Sequence, residues 1–287
     1  MGKLRDAMVS DLTLRGYRPD TIRSYTNRVR QFAKYFMRSP DEMGEREIRT
    51  FLVYLAQVRK LSPAYRKLFT AAIKFLYRVT LNRPDVVEAI PYPKIPKPLP
   101  DILTKAEVLA ILEAVKSIKY RMVIATAYAA GLRISEACAL HCRGDIDSQR
   151  MLIHIRQGKG GKDRYVALSP SLLTLLREYF RQARPSGPYL FPGQDPDRAL
   201  RPKSVYKVFR RALKKTGITK HVTIHSLRHA YAAHLLEEHV DIRVIQALLG
   251  HSSIRATCRY THVSGQLIAR THSPFDSLDI EKIRPGA

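Results

Sequence analysis

One tyrosine lies in an unusually cationic stretch of the chain. The segment HSSIRATCRYTHV, residues 251–263, holds two arginines, two histidines and Tyr260, and it has no carboxylate. A phenol has an ordinary pKa of about 10 and is a poor nucleophile, but nearby positive charge favours the phenolate. Most of the 15 tyrosines of a chain like this one are structural. The cationic neighbourhood nevertheless makes Tyr260 a candidate nucleophile, provided that the chain supplies partners for it.

Further cationic residues stand in short boxes upstream of this tyrosine. In GLRISEA, Arg133 stands at a predicted helix start with Glu136 one turn later, which taken alone fits a surface ion pair. In HSLRH, His225 and Arg228 are three residues apart and share one helix face, a pattern that also arises by chance. Two more boxes, GKGGK and LLGH, supply Lys159 and His251. Each box is weak alone, and their order along the chain carries the information.

The ordered series resembles the tyrosine site-specific recombinase family, which includes the phage integrases and the bacterial Xer recombinases. The matching stretches are GLRISEA, GKGGKDR, IHSLRHAYAAHLL, LLGHSS and RYTHV. The resemblance covers about 170 residues and extends more loosely to the helical N-terminal part. It implies a DNA strand transferase that cleaves and rejoins DNA through a 3′-phosphotyrosyl intermediate. Integration or excision of a mobile element, resolution of chromosome or plasmid dimers, and integron recombination all stay open.

The resemblance also implies a role for each residue. Arg133 and Arg228 would clamp the phosphate, because a guanidinium stays protonated and donates bidentately to an anion. Tyr260 would attack phosphorus and Lys159 would protonate the leaving oxygen. His225 would act as general acid and base on the tyrosine side, His251 would hydrogen-bond the phosphate, and Glu136 would orient the site. One departure is Cys258, where a polar residue is more usual; a small residue should be tolerated there.

Because the covalent link conserves the energy of the broken bond, we expect no cofactor, no metal and no ATP. The sequence has no Walker A loop and no paired Cys-x-x-Cys or His-Glu-x-x-His motif. A zinc site at Cys138, His141 and Cys142 is the weaker interpretation, and buried helix cysteines are the simpler one. Three rival functions also remain: a type IB topoisomerase, a DNA-binding regulator with an inactive site, and a metal-dependent nuclease. The nuclease would use Asp145 and Asp147, or the second acidic pair at 195 and 197, although Asp is also common in turns.

The charge of the chain points to a polyanionic partner. The sequence of 287 residues has 50 Lys or Arg against 25 Asp or Glu, a formal net charge of +25. Residues 1–90 hold 18 basic and 9 acidic residues and the rest hold 32 and 16, so both parts carry the excess. Such an excess repels itself unless a polyanion neutralises it. Double-stranded DNA is the leading candidate, and an anionic membrane surface is the second.

The pattern of elements predicts a mainly α-helical, two-domain protein with a small antiparallel β-sheet. Residues 1–90 read as a four-helix, core-binding domain, residues 91–101 as a proline-rich linker, and residues 102–287 as the catalytic domain with a C-terminal tail. The segment MLIHIRQGKGGKDRYVAL, residues 151–168, predicts a hairpin whose tip carries Lys159. A short helix is expected to carry Tyr260.

The resemblance implies that the two domains form a C-shaped clamp on DNA. It also implies a homotetramer on two DNA sites, with the tail, about residues 266–278, docking on a neighbour or packing in cis. Accessory recombination factors are compatible with that assembly. We expect no membrane partner, because the longest apolar run, residues 122–132, is too short to span a bilayer. Three cysteines and a charged, amphipathic N-terminus lead us to expect a cytoplasmic, nucleoid-associated protein.

Overall fold

The computed structural model describes residues 2–96, 101–156, 163–250 and 253–258. The chain divides into two compact units, residues 1–97 and 98–287. Helices dominate both units, and a single small sheet is present in the described part of the second. The predicted fold class, mainly α with a small antiparallel sheet, is confirmed.

The first unit is built from four long helices, as the apolar spacing predicts. Their bounds are α1 (Gly2–Leu14), α2 (Pro19–Phe36), α3 (Glu45–Gln57) and α4 (Pro63–Phe75), with a π-helical segment (Leu76–Thr80) and a short α5 (Asp85–Glu88) after them. Prolines open α2 and α4, where their missing N–H groups cost nothing. Phe32, Phe51 and Phe69 form an aromatic core that is at most 2% exposed. These three rings therefore form the aromatic centre of the core of this unit.

The second unit contains eight helices and three strands in its described part. The helices are α6 (Lys105–Ala114), α7 (Ile118–Ala129), α8 (Ile134–Cys138), α9 (Pro170–Ala183), α10 (Pro202–Lys215), α11 (Ser226–Glu237), α12 (Ile242–Leu249) and α13 (Arg255–Cys258). The strands are β1 (Ile146–Asp147), β2 (Leu152–Ile155) and β3 (Arg164–Ala167). Buried α7 packs against α8, α9 and α11, while α12 packs against α11 and β3. This packing brings the start of α8, the end of α12 and the start of β3 to one place.

The sheet is antiparallel with the order β1-β2-β3. The register pairs Ile155 of β2 with Arg164 of β3, so the two strands run side by side up to the segment that joins them. Ile153 and Ile155 are buried, and His154 points the other way and stacks on Tyr165 with ring centroids 4.8 Å apart. The predicted hairpin is thus present as two paired strands. Its tip, with Lys159, lies outside the described residues.

Candidate active site

A carboxylate, that of Glu136, lies at the centre of the candidate site. Its side chain is 8% exposed, and it stands in the first turn of α8. The Oε2 atom accepts the backbone N–H of Arg133 at 2.9 Å, and Oε1 accepts a guanidinium N–H of the same residue at 2.7 Å. Glu136 therefore caps its own helix and fixes the side chain of the arginine that precedes it.

A second arginine, Arg164, reaches the same carboxylate from β3. Its Nη1 donates to Oε1 of Glu136 at 3.1 Å and its Nη2 donates to Oε2 at 2.7 Å, a two-pronged pairing. Its Nε donates to the carbonyl oxygen of Leu248, near the end of α12, at 3.1 Å. The sequence analysis missed this residue. Strand alternation was the only sequence signal, since Arg164 lies two residues before Val166 and shares its face of the strand, but alternation does not identify a partner.

The third arginine, Arg228 of α11, lies near the same carboxylate. Its Nη1 lies 3.9 Å from Oε2 of Glu136 and donates to the carbonyl oxygen of Gly131 at 2.6 Å, and its Nη2 donates to the carbonyl of Leu249. Arg228 is 1% exposed, whereas the Arg133 side chain is 23% exposed. The structure thus brings the two predicted phosphate ligands to one carboxylate, with Arg133 the more accessible.

Gly131 allows this convergence. It has a φ of +59°, a left-handed conformation that favours glycine, and a Cβ at this position would collide with the ring of Tyr231. The turn ends α7, starts the approach to Arg133 and aims the carbonyl of Gly131 at Arg228. The glycine of GLRISEA is therefore a geometric requirement of the site.

The surrounding guanidinium groups keep Glu136 ionised. Burial would raise the pKa of its carboxyl, but the hydrogen bonds and the charge of Arg164, together with the hydrogen bonds from Arg133, lower that pKa to about 2. Three guanidinium groups surround one carboxylate, so positive charge remains in excess. An anion held near Arg133 would enter a field that is still favourable.

His225 lies at the N-terminus of α11. It is the N-cap residue of that helix, one turn before Arg228, and it is exposed. Its ring packs edge-on against His229, with ring centroids 4.7 Å apart. His225 and Arg228 thus lie at the same end of α11, the imidazole exposed and the guanidinium buried. The remaining predicted residues, Lys159, His251 and Tyr260, lie outside the described residues, as does the predicted tail.

The acidic and cysteine alternatives have other partners in the structure. Asp145 is 2% exposed; its Oδ2 accepts the backbone N–H of His141 at 2.8 Å and its Oδ1 accepts Nε of Arg156 at 2.7 Å. Asp147 accepts two backbone N–H groups of its own turn. Burial raises the pKa of the Cys138 thiol to about 12, which opposes the thiolate that a metal requires. Across the described ranges, no group of three or more His, Cys, Asp or Glu side chains is placed to share a metal ion.

Two family models match the chain. The model described as the phage integrase family matches residues 101–266, and the model described as the phage integrase N-terminal SAM-like domain matches residues 4–85. The first match includes the three arginines and Glu136. The second match falls on the helical first unit. Among the described helices, none is long and apolar enough to cross a bilayer.

Relatives match over both units. A putative integrase/recombinase, y4qK of Sinorhizobium fredii, is 44% identical over 97% of this chain and 90% of its own length. The tyrosine recombinase XerA of Pyrococcus horikoshii is 36% identical over 88% of this chain and 86% of its own length. The solved structure of XerH site-specific recombinase, bound to its difH substrate before cleavage, is 26% identical. It has a TM-score of 0.69 and covers 90% of this chain and 80% of that one.

Proposed function

The chain belongs to the phage integrase family of tyrosine site-specific recombinases, and we propose that it exchanges strands between two DNA duplexes through a phosphotyrosyl intermediate. The observation that carries this proposal is the convergence of Arg133 and Arg228 on one carboxylate. Two guanidinium groups held by a rigid frame form a binding site for the non-bridging oxygens of a phosphodiester. In the transition state these oxygens gather more negative charge, so donors fixed in advance stabilise it more than the ground state.

The first half of the reaction is a displacement at phosphorus. The phenolate oxygen of Tyr260 attacks the scissile phosphate, a phosphotyrosyl ester forms at the 3′ end, and the bond from phosphorus to the 5′ oxygen breaks. Lys159 gives a proton to that departing oxygen, because an alkoxide is a poor leaving group. His225 takes the proton from the phenol, and His251 hydrogen-bonds the phosphate. Rejoining reverses these steps with the 5′-hydroxyl of the partner strand, so neither metal nor ATP enters the balance.

Strand exchange sets the stoichiometry. Two duplexes present four scissile phosphates, and each needs one tyrosine, so a homotetramer on two DNA sites provides the full set. The domains that take part are residues 1–90, the linker 91–101 and residues 102–287, which would close around the duplex as a clamp. The tail would link neighbouring protomers. We place this activity in the cytoplasm, where the protein would integrate or excise a mobile element. Accessory recombination factors would decide whether integration or excision occurs.

Covalent capture tests the proposal. The protein is incubated with fragmented host DNA, protein–DNA adducts are isolated under denaturing conditions, and the attached DNA is sequenced. We expect adducts at a defined site. A nicked substrate containing that site, which loses its 5′-hydroxyl fragment on cleavage, then traps the intermediate. Tyr260→Phe should bind this substrate and form no adduct. Tyr206→Phe, which removes a hydroxyl from a residue that is 43% exposed on α10, is the matched control and should react normally.

The same assays separate the rival functions. An adduct that Tyr260→Phe still forms at full strength would show that another residue is the nucleophile. Binding without any adduct would favour a DNA-binding regulator. Relaxation of any supercoiled plasmid, without a defined site, would favour a topoisomerase. Cleavage that EDTA abolishes would favour a metal-dependent nuclease.

A further inference from the structure

Arg164 occupies an unusual place for a charged residue. It begins β3 on the inward face of the sheet, its side chain is 12% exposed, and both of its terminal nitrogens bind Glu136. An arginine in such a place costs free energy unless every part of its charge is matched. Here the match is a carboxylate 28 residues earlier in the chain, which also holds the more accessible arginine, Arg133.

Arg164 also holds the end of α12. Its Nε binds the carbonyl of Leu248, while Arg228 binds the carbonyl of the next residue, Leu249. These carbonyls form the negative end of the helix dipole, where cations are favourable. Gly250 follows with a φ of +59°, and a Cβ there would lie 3.0 Å from Cδ of Arg164. The glycine thus leaves room for the Arg164 side chain.

We propose that Arg164 is a positioning residue of the reaction, which fixes Glu136 so that Arg133 is held in place for the phosphate beside Arg228. The proposal rests on the proposed function, since it assigns a support to the same phosphate site. Its basis is the shared carboxylate, which binds Arg133 at 2.7 Å and Arg164 at 2.7 and 3.1 Å, with Arg228 at 3.9 Å. Arg164 itself touches the carboxylate and the helix end.

Electrostatics explain why Arg164 matters, because Glu136 and the phosphate would compete for Arg133. A free carboxylate beside a phosphate site would repel the substrate and draw the arginines away from it. Because Arg164 binds both oxygens of Glu136, it neutralises the charge of the carboxylate. Without Arg164, the negative charge of Glu136 would be opposed by two guanidinium groups instead of three. The field at the phosphate would weaken, and the Arg133 side chain would lose its fixed orientation.

The test measures single-turnover cleavage of the nicked substrate with protein in excess. Arg164→Ala removes the support, and Arg164→Lys keeps the charge and the stem but cannot span both carboxylate oxygens. Arg150→Ala is the matched control, because Arg150 is 81% exposed, contacts Asp147 and belongs to the turn of the same sheet. We expect a fall in the cleavage rate constant of about 10²-fold for Arg164→Ala, the typical effect of misplaced catalytic groups. Arg164→Lys should be intermediate and Arg150→Ala unchanged.

The rate constant separates positioning from folding. A variant that only folded poorly would need more protein to saturate the DNA, but at saturation it would keep the wild-type rate constant, and circular dichroism would show its unfolded fraction. A wild-type rate constant in either Arg164 variant would overturn the proposal. Arg164→Lys retains a buried stem and charge, so it decides the question even where Arg164→Ala is unstable.

A double-mutant cycle tests the route through Glu136. If Arg164 acts through that carboxylate, Arg164→Ala should slow the Glu136→Ala protein little further, because both changes remove one coupled unit. Multiplicative effects would overturn the route. A wild-type protein that forms no adduct would defeat the proposed function itself. A reactive wild type with an indifferent Arg164 would defeat only this inference.

Discussion

Glu136→Gln is the most informative single change in the second unit. The substitution keeps the shape of the side chain and removes its charge. An amide NH₂ group replaces one carboxylate oxygen. This group donates hydrogen bonds, so it faces N–H groups of Arg133 and Arg164 that also donate. Two charge-assisted hydrogen bonds are then broken in a buried place. At about 1.5–3 kcal/mol each, before relaxation, their loss is substantial.

The lowered pKa expresses the same contacts as a free energy. The Glu136 carboxyl falls from an ordinary 4.5 to about 2, which corresponds to about 3 kcal/mol of stabilisation by its ionised form. This agrees with the typical cost, about 3–5 kcal/mol, of removing one partner from a buried ion pair. In a unit of this size, a loss of that order should lower the Tm by about 6–12 °C.

The pH dependence has a definite sign. Because the folded-state pKa is depressed, the stabilisation is fully present above about pH 4.5 and is lost as the pH falls toward 2. The stability difference between wild type and Glu136→Gln should therefore stay constant from pH 7 to 5 and shrink below pH 4.5. Urea unfolding followed by circular dichroism at a series of pH values measures it. Glu238→Gln is the control, since its ion pair with Lys105 is 55–64% exposed and should contribute less than about 1 kcal/mol.

Two outcomes would refute the reasoning. A loss below about 1 kcal/mol at pH 7, similar to that of the exposed control, would mean that the buried pairing contributes no more than a surface ion pair. A difference that stayed the same down to pH 3 would mean that the charge of Glu136 is not its source. In either case the carboxylate could not be regarded as the fixed centre of the three arginines.

Two further changes test other parts of the fold. Gly131→Ala should cost at least about 2 kcal/mol and slow adduct formation, because it adds left-handed strain and a collision with Tyr231 next to the carbonyl that Arg228 binds. Gly217→Ala, with a φ of +69° in open space, is its control for strain alone and should retain normal cleavage. Tyr77→Phe should lower the urea midpoint of the first unit by an amount equivalent to about 1–2 kcal/mol, because a buried hydroxyl no longer donates to the carbonyl of Pro40 at 2.6 Å. An unchanged midpoint, as expected for the exposed Tyr65→Phe, would contradict that assignment.

The helices could be predicted because their signals are local. Apolar residues at steps of three and four indicate the helices of the first unit, with a weaker pattern over α1, and Thr104 with Glu107 forms a capping box at the start of α6. The hairpin of β2 and β3 followed from two β-rich runs around glycines. Strand β1 was missed, since two residues, Ile146 and Asp147, give no alternation to detect. The helix predicted to start at Arg133, α8, is only five residues long and ends at Cys138.

The candidate site also combines a local contact, which the sequence predicts, with long-range contacts, which it does not. Arg133 and Glu136 are one helical turn apart, so their contact was visible in the spacing. The approach of Arg133 and Glu136 to Arg228 depends on how α7, α8 and α11 pack. In the sequence, only the resemblance to the recombinase family indicates this approach. Arg164 lacked any local partner, because the carboxylate that matches it lies in another element. Long-range ion pairs of this kind depend on tertiary packing, and a single sequence carries little record of it.

A carboxylate at a site for anionic phosphate looks unfavourable until its partners are counted. Glu136 alone would repel DNA, but three guanidinium groups outweigh it, and two of them, Arg164 and Arg228, are largely buried. The carboxylate gives the arginines a common point of attachment, which an apolar residue could not do. Without it, three neighbouring cations would repel one another and spread apart. A rigid cationic site therefore requires an anion at its centre, and the protein keeps that anion ionised by lowering its pKa to about 2.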